Sequence, residues 1–215
     1  MKPKNFIFTA LLCFAFILAG CGETTKDEKN GDEKHSGSFI IELYPEYAPL
    51  TVENFLKLVS DGFYDGLTFH RISEGFMAQG GGYGVDEYKF SENDKKPADT
   101  IFGEFANNNF TQNTLKHTKG VISMARLGNS NDSASSEFFI MFEAAGHLDG
   151  DYAAFGEVIE GMDEVDALAK IEKKAGFAAD MGAATIPVDP VIIKKAAVLD
   201  TGEGENPKVK MEIEY

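Results

Sequence analysis

Residues 69–82 read FHRISEGFMAQGGG: one arginine among two phenylalanines, a methionine and a glutamine, closed by three glycines. The stretch has no paired acids, no cysteine and no evident nucleophile. Leu67–Ile72 reads as a strand, and strand side chains alternate between faces. That puts Leu67, Phe69 and Arg71 on one face and Thr68, His70 and Ile72 on the other. Arg71 beside apolar neighbours marks either a site or a guanidinium whose stem snorkels along a core strand. Gln79 is able to hold a guanidinium by hydrogen bonding without adding charge. Gly80, Gly81 and Gly82 allow a sharp bend or a close backbone approach.

Working outward, SFIIEL (38–43), GFMAQ (75–79), VISMAR (121–126), EFFIMF (137–142), AAFGEVI (153–159) and PVIIKKAAVL (190–199) read as further short strands, separated by Gly, Asn, Asp and Ser. Val52, Phe55, Leu56 and Val59 recur at i, i+3, i+4 and i+7, which predicts an amphipathic helix. Pro49 and Thr51 suit its start and Gly62 its C-terminal cap. A second helix is expected over Met162–Lys173. Many short strands and two well-separated helices predict a mainly β fold, a closed barrel or sandwich with helices packed on it. The domain is expected over 38–200. A polar tail completes the chain over 201–215, in which Val209, Met211 and Ile213 alternate as a frayed end or a weak edge strand.

The first 21 residues, MKPKNFIFTALLCFAFILAGC, open on Lys2 and Lys4 and then run apolar from Phe6 to Leu18. The run is shorter than the roughly 20 residues of a spanning helix. It fits a secretory signal peptide over 1–20. Leu18-Ala19-Gly20-Cys21 resembles the lipobox of bacterial lipoproteins, which implies cleavage before Cys21 and a lipid on that cysteine. The alternative is an ordinary signal peptide with a chance cysteine. Cys13 would leave with the leader, so the exported chain would keep no thiol for a disulfide or for catalysis. Residues 21–37 are charged, glycine-containing and without large apolar side chains beyond Cys21, as a flexible tether is; His35 within it is given no specific role. The net charge of −15 argues against nucleic acid as a partner. It also argues against attachment to anionic lipid by charge, so the acyl chains would have to hold the membrane.

ELYPEYAPLTVENFLKLV, GFYDGLTFHRISEGFMAQGG, HTKGVISMAR, SSEFFI and HLDGDYAAFGEV, in this order and spread over residues 39–198, resemble the cyclophilins, the peptidyl-prolyl cis–trans isomerases. The resemblance implies a closed eight-stranded antiparallel β-barrel capped by two α-helices, with the substrate groove on the outer wall. It implies that Arg71 is the catalytic arginine, that Phe76, Met77, Phe139 and Leu148 wall a proline pocket, and that Gln79 steadies the arginine and touches the substrate backbone. Ala125 matches a groove residue, and His70 a nearby histidine of mostly structural role. No metal and no cofactor are implied. The partners implied are proline-containing polypeptides, and the chain is expected to be a monomer.

Four positions depart from the pattern. Glu137 stands where the family usually has glutamine; its carboxylate either reaches Arg71 and competes with substrate, or points to solvent. Arg126 replaces an asparagine that commonly contacts the substrate backbone, and still offers donors. His147 and Tyr152 replace a tryptophan and a histidine of many eukaryotic members, which implies a bacterial-type groove with weaker cyclosporin binding. His117 reads as a satisfied structural histidine. The functional expectation is a lipid-anchored, extracytoplasmic isomerase that speeds folding of exported proteins; the alternative is a cyclophilin-like module that binds proline segments with little turnover. A serine or cysteine hydrolase is set aside, for want of a nucleophile elbow and of an exported thiol.

Overall fold

The computed structural model describes residues 34–85, 96, 98–175 and 183–215. The leader, Cys21 and most of the tether lie outside the described residues.

The barrel strands are β1 (Ser36–Leu43), β2 (Leu67–Ser73), β3 (Met77–Gly84), β4 (Val121–Met124), β5 (Phe138–Met141), β6 (Ala154–Glu160), β9 (Val191–Leu199) and β10 (Lys208–Glu214). These eight close into an antiparallel barrel in the order β1-β10-β9-β2-β3-β5-β4-β6. β7 (Lys173–Ala175) and β8 (Ala184–Pro187) form a separate two-stranded sheet. Closure leaves no exposed barrel edge, which removes the aggregation hazard of an open sheet.

α1 (Pro49–Ser60) packs on β9 and turns Val52, Phe55, Leu58 and Val59 into the core. Phe55 meets Phe138, Phe155 and Tyr64 at ring-centroid distances of 5.7, 5.1 and 5.3 Å. Phenylalanine thus fills the barrel interior in a chain that has no tryptophan. No side chain caps the helix locally; instead the buried Glu104 carboxylate accepts the backbone N–H groups of Leu50 and Thr51 at 3.0 and 2.8 Å. A carboxylate at this end also complements the helix dipole. At the other end Gly62 N–H donates to Val59 O and Phe63 N–H to Leu58 O, with Gly62 at φ +65°, so glycine closes the helix in a left-handed turn.

Four expectations from the sequence are corrected. The tail is a barrel strand: β10 pairs with β1 on one side and β9 on the other, and Val209, Met211 and Ile213 are buried. The domain therefore continues past Asp200. At its start, Ser36 and Gly37 already pair with Glu214 and Ile213, so the barrel takes in the end of the expected tether. There His35 is engaged, with Nε2 2.8 Å from Glu164 and its ring against Tyr215.

The second helix, α2 (Met162–Leu168), stops short of Lys173. Lys173 Nζ donates to the carbonyls of Ala169 and Ile171, and its own backbone enters β7 opposite Pro187. The strand pairing overrides the helical preference of the intervening residues.

The faces of β2 differ as well. Phe69 pairs with Gly80 and Arg71 with Gln79, so His70 is an extra residue, a β-bulge. A bulge breaks the two-residue alternation and re-aims the side chains beyond it. Phe69 and Ile72 both enter the barrel core, and Arg71 is turned to the outer wall.

Candidate active site

The bulge aligns a row of side chains across four strands. Arg71 on β2 is opposite Gln79 on β3, Gln79 is opposite Phe139 on β5, and Phe139 is opposite Ser123 on β4. Cross-strand partners share a face, so the row lies along one side of the barrel wall.

Outside that wall sits a second apolar cluster, distinct from the barrel core. Met77, Val121, Phe139, Met141, Ala145, Leu148 and Ala154 form it, with Phe76, Ala125 and Tyr152 packed against it. The loop after β5 covers the cluster, and its short 3-10 turn Gly146–Leu148 delivers His147 and Leu148. Between wall and loop lies a groove of about 620 Å³. Arg71, Phe76, Met77, Gln79, Ala125, Arg126, Phe139, His147, Leu148 and Tyr152 line it, ten of the twelve residues that the sequence points to for substrate contact or catalysis. Gly128 and Asp151 also line it; no motif singles either out.

His70 and Glu137 stand behind the groove. Arg71 Nη1 donates to Gln79 Oε1 at 3.2 Å, and Gln79 Nε2 donates to Glu137 Oε2 at 2.7 Å. His70 Nε2 lies 3.4 Å from that same Glu137 oxygen. The Glu137 side chain is 11% exposed, so it does not point to solvent; its carboxylate is directed at Gln79 and His70.

Arg126 is committed to its own loops. Its Nε donates to Asp151 O at 2.9 Å and its Nη1 to Leu127 O at 3.0 Å, while the guanidinium lies over the Tyr152 and Phe105 rings. It acts as a strut that joins the two loops flanking the groove.

Under the floor, His117 is fully engaged. A carboxylate only accepts, so Nδ1–H donates to Asp149 Oδ1 at 3.0 Å, and Nε2 accepts from the Ser123 hydroxyl at 3.0 Å. The ring stacks on Phe139 with centroids 6.0 Å apart. Burial holds the His117 pKa below the usual histidine value, against the pull of Asp149. Burial pushes Asp149 upward, but hydrogen bonds from His117 and the nearby Lys116 outweigh it and hold the carboxyl below its ordinary value.

The arrangement is the Arg71 guanidinium at the edge of an apolar floor, with the second guanidinium of the lining, Arg126, tied to its own loops. It offers an apolar surface with a donor beside it; among the described residues no group of three or more His, Cys, Asp or Glu is placed to hold a metal.

Comparison with known proteins bears on the family. A family model described as "Cyclophilin type peptidyl-prolyl cis-trans isomerase/CLD" matches residues 29–198. A probable peptidyl-prolyl cis-trans isomerase of Brucella suis is 34% identical over 209 residues, 92% of this chain and 99% of the relative. Peptidyl-prolyl cis-trans isomerase B of Bacillus subtilis is 44% identical over 126 residues, 57% of this chain and 77% of the relative. Among solved structures, a Cryptosporidium parvum cyclophilin type isomerase crystallised in the presence of the dipeptide Ala-Pro superposes with a TM-score of 0.55 at 25% identity, covering 72% of this chain and 88% of that one. The chain belongs to the cyclophilin family of peptidyl-prolyl cis–trans isomerases and is an isomerase of that type.

Proposed function

We propose that this isomerase acts on X-Pro bonds of exported polypeptides as they fold, on the extracytoplasmic side of a bacterial cell membrane to which lipid on Cys21 anchors it. The observation that carries the catalytic part is the Arg71–Gln79 pair at the rim of the Phe76, Met77, Phe139 and Leu148 floor. The leader-like residues 1–20 and Leu18-Ala19-Gly20-Cys21 support the location. The Ala-Pro dipeptide with the Cryptosporidium neighbour supports a proline ring as the occupant of the floor.

The chemistry rests on amide electronics. The nitrogen lone pair is delocalised in the planar amide, which sets a rotation barrier of about 18–20 kcal/mol. In the twisted state the lone pair returns to nitrogen and becomes a hydrogen-bond acceptor. A guanidinium aimed there binds the twisted state better than either planar form, and that difference is catalysis. One such preorganised donor contributes about 3–4 kcal/mol. An acceleration of about 10⁵ needs about 7 kcal/mol in all, so the apolar floor supplies the remainder by gripping the ring and excluding water. Arginine suits the role because its charge is permanent and its fork rigid.

Two experiments test the proposal. A protease-coupled proline-peptide assay on the chain lacking the leader separates an isomerase from a binding module: turnover abolished by Arg71→Ala with folding intact supports the former, and peptide binding without turnover the latter. Metabolic labelling with a fatty acid, lost in Cys21→Ser, supports the anchor; unchanged labelling or none in either chain removes it.

A further inference from the structure

We infer that Glu137 is a positioning residue for the isomerase reaction: its carboxylate fixes which end of the Gln79 amide faces Arg71. The inference rests on the groove's isomerase activity and is independent of the lipid anchor.

The two ends of a glutamine amide are nearly equal in size, and only their partners decide which way it points. Arg71 is donor-only, so it requires the Gln79 oxygen; an ionised Glu137 is acceptor-only, so it requires the Gln79 nitrogen. The distances of 3.2 and 2.7 Å show both demands met at once. Flipping the amide would set nitrogen against guanidinium and oxygen against carboxylate, two repulsive contacts in a partly buried place. A glutamine at position 137 makes no such demand, because its own amide is free to turn.

The carboxylate occupies a built slot. A Cβ on Gly82 would fall 2.8 Å from Glu137 Cγ and 3.0 Å from its Oε1, so the absence of a side chain at residue 82 makes the room. His70 Nε2 also approaches the carboxylate, at 3.4 Å, and the Glu137 carbonyl accepts the Ala125 N–H at 2.9 Å, which ties residue 137 to the groove edge. Gln79 lies in the groove lining and Glu137 does not, so Glu137 reaches the reaction through Gln79. Holding Gln79 Oε1 on the guanidinium restricts the swing of Arg71 and readies its donors before substrate arrives.

The test is a double-mutant cycle on the leader-free chain, with kcat and KM measured separately and folding checked by near-UV circular dichroism and unfolding midpoint. Glu137→Met should lower kcat about fivefold to tenfold with KM within about twofold, and Glu137→Gln, which restores an acceptor, should recover all but about threefold. In a Gln79→Ala background Glu137→Met should add less than about twofold. Three outcomes overturn the inference. Glu137→Gln raising kcat/KM severalfold would mean that the carboxylate competes with substrate for Arg71. An undiminished Glu137 effect without Gln79 would mean that it acts by another route. No loss in any folded Glu137 variant would mean no role. Failure of the unaltered chain to turn over peptide would instead remove the isomerase reading beneath it.

Discussion

Phe69 and Arg71 stand two residues apart on one strand and face opposite sides of the barrel wall. The bulge at His70 separates them, so one short strand builds both the core and the edge of the groove. Opposite the start of β2 the partner strand is irregular too: Leu67 pairs with Gly84 and Phe69 with Gly80, which leaves extra residues on β3. Gly81 makes that path possible at φ +86°, with a would-be Cβ 2.9 Å from both Ser136 O and Tyr64 Cε1. Gly81→Ala should therefore destabilise the fold by more than about 2 kcal/mol in urea unfolding, from left-handed strain plus the clash. Gly84→Ala, whose Cβ meets nothing within 4 Å, should stay within about 0.5 kcal/mol.

Removal of residues 201–215 should abolish cooperative unfolding, because β10 is hydrogen-bonded on both sides and carries three core side chains. Each buried aliphatic or methionine side chain contributes about 1.5–3 kcal/mol, and an opened barrel exposes two edges besides. A chain ending at Asp200 that melts like the parent would contradict the eight-stranded closure.

What is legible in the sequence divides along a physical line. Helix α1 is plain because a 3.6-residue period, Pro49 and Gly62 agree, and the seven barrel strands up to Leu199 are plain because apolar runs lie between turn residues, whereas the short β7 and β8 are not. β10 is obscured because Lys208, Lys210 and Glu212 alternate with its core residues inside a charged segment. The end of α2 is hidden because the residues beyond it form helix well and only the pairing with β8 stops them. Alternation also assumes an unbroken ladder, so the bulge at His70, and with it the true face of Arg71, is invisible. The groove residues come from the family resemblance. Nothing in the sequence places Glu137 and His70 behind the lining, or Asp151 and Gly128 within it.

Arg126→Ala should raise KM about threefold to tenfold with kcat little changed, as the strut between Asp151 O and Leu127 O is lost and the groove walls loosen. Arg126→Lys should recover little, since one ammonium does not reproduce a fork that serves two carbonyls and two rings. Steady-state kinetics that show a kcat loss with unchanged KM would contradict this assignment.

Acid should weaken the fold through the pair beneath the groove floor. The His117 pKa is lowered on folding, so as pH drops below about 6.5 the unfolded chain takes up the proton first and acid favours unfolding. Asp149 is also lowered, so its contribution is lost in the same direction at more acid pH, as the carboxylate protonates. Unfolding free energy measured by urea titration should fall from pH 7 to pH 5, and His117→Gln should flatten that slope. A stability rising toward pH 5 would contradict the neutral, doubly hydrogen-bonded ring.

The most direct test of the account is kcat/KM of Arg71→Ala against the unaltered chain in a protease-coupled assay on a proline-containing peptide. The Arg71 guanidinium beside an apolar floor predicts a fall of about a hundredfold to a thousandfold, with the unfolding midpoint unchanged because Arg71 lies outside the barrel core. A folded Arg71→Ala protein that keeps activity within about twofold of the parent would contradict it.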